Sequence, residues 1–261
     1  MAQEHGSSAA ARSPIAPLIP HPPSLRLLLP APPWMSVCRR YPDGAHRPAA
    51  RGLLHVVMAA SGWLWLFLNS GDPRKELQLM VLMKAASLTA SANLHVREHC
   101  SEASYAVANA IDFFWLPLNG GSVLSVVTPR SKAWLRALHA AVLFSVSIAV
   151  VRPVYTWTVH TCRRDKFSAA RPHQQRTALT VFCGIWIIVA WIVQAGFSLA
   201  WLGHLAFLVA GYCFYSMQYI GVKAPWHSTY WAGHDDLHIC GALSDLCAFA
   251  YAVPTATAMA A

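Results

Sequence analysis

From residue 52 onward the chain alternates between long apolar runs and short polar breaks. Seven runs stand out, at 52–69, 77–97, 104–127, 133–151, 177–196, 199–221 and 234–255. Each approaches the ~20 mostly apolar residues that an α-helix needs to cross a bilayer core. Arg136 and His139 interrupt the fourth run, and Gly196 marks a turn between the fifth and the sixth. No repeat of 20–50 residues is visible, which argues against a solenoid. The pattern predicts an all-α, polytopic membrane protein: one domain over 51–261, with seven transmembrane helices in one bundle. Residues 1–50 read differently. They hold 10 of the 17 prolines, a density that no helix interior accepts, and so predict a disordered Pro/Ala/Arg-rich tail. Arg12, Arg26, Arg39, Arg40 and Arg47 against two acids, Glu4 and Asp43, leave a cleaved transit peptide open. The Leu25–Leu29 run is too short for a secretory signal and is bracketed by prolines.

Composition strengthens this picture. Hydrophobic residues make up 56% of the 261, and charged residues 12%, about half the charged share of a soluble domain. A soluble enzyme, a coiled coil and a disordered chain all fit poorly. The net charge of +9 raises the question of nucleic acid, but no basic stripe with interleaved aromatics is present, so no nucleic-acid partner is expected. The basic residues instead flank the apolar runs, where anionic lipid attracts them. With seven spans, one side of the membrane carries 14 Lys and Arg and the other 5. The positive-inside rule then places the N-terminus in the cytoplasm and the C-terminus outside. The seven cysteines contain no C-x-x-C pair, and most fall in apolar runs as small buried hydrophobes.

Ionisable groups inside membrane spans are costly and face the bundle interior or a water-filled cavity. Here they are Lys84 and His95 in the second run, Asp112 in the third, and His234, Asp235, Asp236, His238 and Asp245 in the seventh, with His55, His139 and His204 elsewhere. His234 and His238 are four apart, so a helix puts both imidazoles on one face, one turn apart. Asp245 lies seven beyond His238 on that face. Ser91 is four before His95, and Lys84 seven before Ser91, on one face of the second run. Alternating topology places His95, Asp112, His234 and His238 near the same membrane surface. Three neutral imidazoles with a fourth position left to water are how a catalytic zinc is held. A carboxylate beside that water would orient it and take its proton. His55, His139 and His204 read as interfacial or hydrogen-bonded core residues, and Lys84 and Asp245 as partners of each other or of backbone. The acids Asp235 and Asp236 suit a helix start, where they favour the dipole.

The stretch SANLHVREHCSEASYAVANAID resembles the second-to-third-helix signature of the progestin and adipoQ receptor family, which includes adiponectin receptors and haemolysin-III-like proteins. The matching residues are Ser91, His95, Ser101, Glu102 and Asp112. HDDLH resembles the seventh-helix His-x-x-x-His of that family, through His234 and His238. The wider group, the CREST superfamily, also holds alkaline ceramidases and myomaker-like proteins. The chain departs from the receptor pattern at Leu94, at His99-Cys100-Ser101, in FFWLPLNGGSV after Asp112, and at Asp235-Asp236. The resemblance therefore reaches the superfamily more firmly than any branch of it. It implies Zn2+ held by His95, His234 and His238, with Asp112 and Ser91 as catalytic residues that hold the water or the oxyanion. The implied activity is hydrolysis of an amide or ester in a membrane lipid, with a ceramide-like substrate foremost.

Other readings remain open. The same residues would serve a non-enzymatic receptor or membrane-remodelling protein with a structural zinc. A haem-binding electron carrier would draw axial ligands from His55, His95, His139 and His204. A retinal protein is disfavoured because the seventh run contains no lysine for a Schiff base.

Overall fold

A computed structural model describes residues 52–97, 99, 101–163, 165–219, 224–226 and 233–260. The expected tail over 1–50, with its transit-peptide reading, lies outside the described residues. Among the described residues all regular structure is helical. The helices are α1 (Leu53–Leu68), α2 (Lys75–Val96), α3 (Glu102–Gly121), a single turn α4 (Leu124–Val127), α5 (Ala133–Cys162), α6 (Lys166–Ala195), α7 (Leu199–Tyr219) and α8 (Gly233–Ala260). A 3₁₀ turn, Arg130–Lys132, leads into α5.

Six of these stretches are long and apolar enough to cross a membrane: α2, α3 with α4, the 3₁₀ turn with α5, α6, α7 and α8. This is consistent with a multi-pass membrane protein. The first run forms a helix of 16 residues, or ~24 Å at 1.5 Å per residue, short of the ~30 Å hydrocarbon core.

Two expected boundaries need correction. The fourth run was read as ending at 151, yet α5 continues to Cys162. The fifth was read as starting at 177, yet α6 begins at Lys166. The expected polar loop over 152–176 is thus mostly helix. Arg152-Pro153 and Pro172 look like breakers, but both prolines sit inside helices. A proline forfeits one backbone bond and is tolerated where neighbours make up the loss. The third run breaks instead, at Gly121. A Cβ there would lie 2.3 Å from Leu143 Cδ1 of α5, so the missing side chain lets α3 and α5 close together.

The distribution of side chains is inverted relative to a water-soluble protein. Val193, Leu199, Tyr212 and Leu246 are largely exposed, whereas Ser87, Ser91, Asn109, Ser147, Thr158 and Ser244 are buried. Lipid gives no hydrophobic drive to helix association, so small residues and polar bonds carry it. On α7, Gly203 and Gly211 face α8: a Cβ at Gly203 would stand 2.8 Å from Cys247 Sγ, and at Gly211 2.9 Å from Cys240 Cβ. Between α3 and α5, Asn109 donates to Thr158 Oγ1 at 2.7 Å. A buried cluster that includes Met80, Leu124, Val126, Leu143, Ile187 and Trp191 joins α2, α4, α5 and α6. At the start of α2, Glu76 accepts from Arg130 Nε at 2.7 Å and from Arg136 Nη1 at 3.0 Å.

Candidate metal centre

The α1–α2 connection at 69–74 reverses the chain, so the start of α1 lies beside the end of α2. Gly52 makes that approach close. It precedes α1 with φ +91°, and a Cβ on it would stand 2.6 Å from Val96 Cγ2 and 3.2 Å from the His95 carbonyl carbon. His55, on the first turn of α1, is thereby brought to His95, on the last turn of α2. Trp63 Nε1, donating to Thr89 Oγ1 at 2.9 Å, fixes the two helices farther along. The first turns of α8 bring His234 and His238 to the same end.

Four imidazoles meet there. Ring centroids are 5.0 Å apart for His95 and His234, 5.7 Å for His95 and His238, and 4.6 Å for His234 and His238. Three histidines drawn from distant parts of the sequence are thus brought together as the sequence reading expected. His55 joins them, with its ring 5.1 Å from His95 and 3.9 Å from His238. Its Nε2 is 3.0 Å from His238 Nδ1. Among the described residues, His55, His95 and His238 each present a ligand atom such that all three lie within 4.8 Å of one another. His234 stands beside this trio and packs its ring against Tyr215 of α7 at 5.3 Å. His55 and His95 are buried, while His234 and His238 are half-buried.

The sequence reading set His55 among core histidines. No i, i+4 spacing links it to the others, because its contacts are tertiary. The depth argument applied to Asp112 and His234 reaches it too, since the first run starts at the same surface.

One turn before His95, Ser91 lies next to the carboxylate of Asp112 on α3. The two residues expected to act together are therefore paired, next to the histidine end of α2. Ser101 caps α3, accepting from Ser104 N–H at 3.1 Å. Glu102 accepts from Arg163 Nε at 2.8 Å in an exposed ion pair. Asp235 and Asp236 are buried in the first turn of α8, and Asp236 Oδ1 accepts from Trp226 Nε1 at 3.1 Å.

The remaining ionisable groups lie apart from this cluster. Lys84 pairs with Asp245 and donates to Asn119 Oδ1 at 3.2 Å. His204 Nδ1 lies 2.7 Å from Ser244 Oγ, and its ring packs on Trp191 at 5.1 Å. His139 is buried with its ring 5.7 Å from that of Trp186. A groove of about 320 Å³ between α2 and α3, lined by Asn93, Arg97, His99, Val107 and Ile111 among others, borders this end without including the four histidines in its wall.

The donor set suits a borderline-soft divalent cation. Tetrahedral zinc with Zn–N near 2.0–2.1 Å places its nitrogens ~3.3–3.4 Å apart. The 3.0 Å between His55 and His238 is within a few tenths of an ångström of that. Imidazoles from three helices, with the Ser91 hydroxyl and Asp112 carboxylate one turn away, are groups that can ligate a metal and accept a proton. No family model matches the chain, and no curated protein or solved structure matches it.

Proposed function

We propose that the chain is a seven-helix membrane protein with a cytoplasmic N-terminus, and that its histidine cluster holds a zinc ion which serves hydrolysis of a lipid amide or ester. The observation that carries this reading is the convergence of His95, His238 and a further imidazole at one end of the bundle, beside the Ser91–Asp112 pair. The resemblance to the CREST superfamily supplies the reaction class, with a ceramide-like lipid as substrate. His95 and His238 belong both to the ligand set that the resemblance implies and to the closest-packed trio.

Bound zinc would act as a Lewis acid and bring the pKa of a water on it to about 7. Asp112 offers a carboxylate oxygen for the proton that such a water gives up. Ser91, one turn before His95, would hold that carboxylate in place and steady an oxyanion. The half-buried His234 and His238 mark the side on which the site meets its surroundings.

A second reading, a receptor or membrane-remodelling protein with a structural zinc, is favoured by one observation: the groove between α2 and α3 does not include His55, His95, His234 or His238 in its wall. Elemental analysis of detergent-purified full-length protein tests what the two share. About one zinc per chain, lost in His238→Ala, is the expected result. A zinc-free wild type after reconstitution would remove both. A tag on the N-terminus that antibody reaches from outside intact cells would overturn the orientation.

A further inference from the structure

We infer that His55 of α1 is a metal ligand, completing with His95 and His238 a three-imidazole set, and that His234 stands outside the first coordination sphere. The inference rests on the zinc reading above and changes who holds the ion.

Distance argues for it first. His55, His95 and His238 are the three whose ligand atoms all lie within 4.8 Å of one another, and His234 is not in that group. The His55–His238 nitrogen separation of 3.0 Å matches two ligands on one small cation, and needs little change to reach the tetrahedral edge. Burial argues next. His55 is 2% exposed and His95 4%, the enclosure expected of ligands. Local construction argues third. Gly52, with its left-handed φ and no room for a Cβ, seats the first turn of α1 against His95. That backbone suits glycine, and its effect is to deliver His55 to the cluster.

One competing role must be separated. A ligating histidine commonly donates its second N–H to a neighbour that orients it, and His55 could do this for His238 without touching the metal. Glutamine distinguishes the two, since it can hydrogen-bond to His238 Nδ1 but is a poor zinc ligand.

The test uses full-length protein in detergent, with zinc affinity read by chelator competition for wild type, His55→Ala, His55→Gln and His234→Ala, and helix content by circular dichroism. The expected result is a loss of more than ~100-fold in zinc affinity for both His55 variants, beyond the 10–100-fold typical of an orienting neighbour. His234→Ala is expected to lose less than ~10-fold, that is, less than an orienting neighbour. Wild-type affinity in a folded His55→Gln overturns the inference, as does a deficient His234→Ala beside a zinc-replete His55→Ala. Either result leaves the zinc reading intact, with the ligand set implied by the resemblance. A wild type that takes up no zinc overturns both. If His55→Ala does not fold, His55→Gln, which keeps volume and hydrogen bonding, decides.

Discussion

Two polar assemblies link α2 to α8, and they solve the burial of polar groups in opposite ways. Deeper along the helices, Lys84 meets Asp245 and Asn119. The charges there are opposite, so the pair is electrically complete. At the end of the bundle, His95 meets His238, His234 and His55. These groups are alike, and they meet by ring packing and by the His55–His238 hydrogen bond instead of by opposite charge. The first assembly is an ion pair that ties two helices, and the second is the candidate site. Residue type, more than burial, separates the two, since Lys84 and His95 are buried to nearly the same degree.

Removing a proton acceptor gives the largest expected effect at the histidine end. Asp112→Asn should retain zinc and lower hydrolysis of a ceramide-like substrate by ~10²–10⁴-fold, the usual contribution of a general base. Turnover within ~3-fold of wild type would remove Asp112 from that role. At the other assembly, Lys84→Met leaves Asp245 without its cation. The expected cost is ~3–5 kcal/mol, as for other broken buried pairs, toward the lower end because Asp245 is 21% exposed. Adding Asp245→Leu should recover most of it. Denaturation in mixed micelles reads both variants, and a single variant as stable as wild type would show that the tie carries no weight. Neither change should alter zinc content, which is what distinguishes the tie from the site.

Gly52→Ala comes next. It forces an unfavourable φ and a clash with Val96, with an expected cost of ~1–3 kcal/mol and weaker zinc binding through the displaced His55. Unchanged thermal stability and metal affinity would show that α1 can shift without consequence. The smallest effect belongs to an ion pair in the α1–α2 connection. Arg74, donating to Asp72 from both side chain and backbone, lowers the Asp72 carboxyl from 3.8 to about 2. A depressed carboxylate stabilises the fold above its unfolded pKa and loses that contribution as pH falls through the folded value. A slight loss between about pH 4 and pH 2, absent in Asp72→Asn, is expected. Equal acid sensitivity in the two proteins would show that this half-buried pair contributes nothing.

Much of this was legible in the sequence, for local reasons. Apolar runs of helical length located α2, α7 and α8 to within a few residues. Heptad-like spacing put Lys84, Ser91 and His95 along one face and Asp245 with His238, and charge made Lys84 and Asp245 candidate partners of each other or of backbone, of which the structure shows the first. The boundaries of α5 and α6 differ because the apolar runs stop at 151 and resume at 177, whereas the helices continue through the polar, basic stretch between and carry Pro153 and Pro172 inside them. His55 reads from sequence as an interfacial or core histidine because its place in the cluster depends on how closely α1 approaches α2. That approach is set by a missing Cβ at Gly52, which carries no signal in hydropathy or spacing. A histidine with no helical partner of its own becomes visible only when another helix brings one.

The length of α1 bears on the surrounding bilayer. In the proposed seven-helix arrangement, a 16-residue helix is too short for an ordinary hydrocarbon slab, and such mismatch is met by local thinning of the lipid or by drawing flanking groups inward. Thinning at α1 would dimple the leaflet above His55. Headgroups and water would then sit nearer the imidazoles there than anywhere else around the bundle. A lipid whose scissile bond lies just beneath its headgroup would find its shortest path to the site at this shallow edge. Membranes of different thickness should therefore tune the protein, with the thinner ones of the early secretory route suiting it better than a sterol-stiffened plasma membrane.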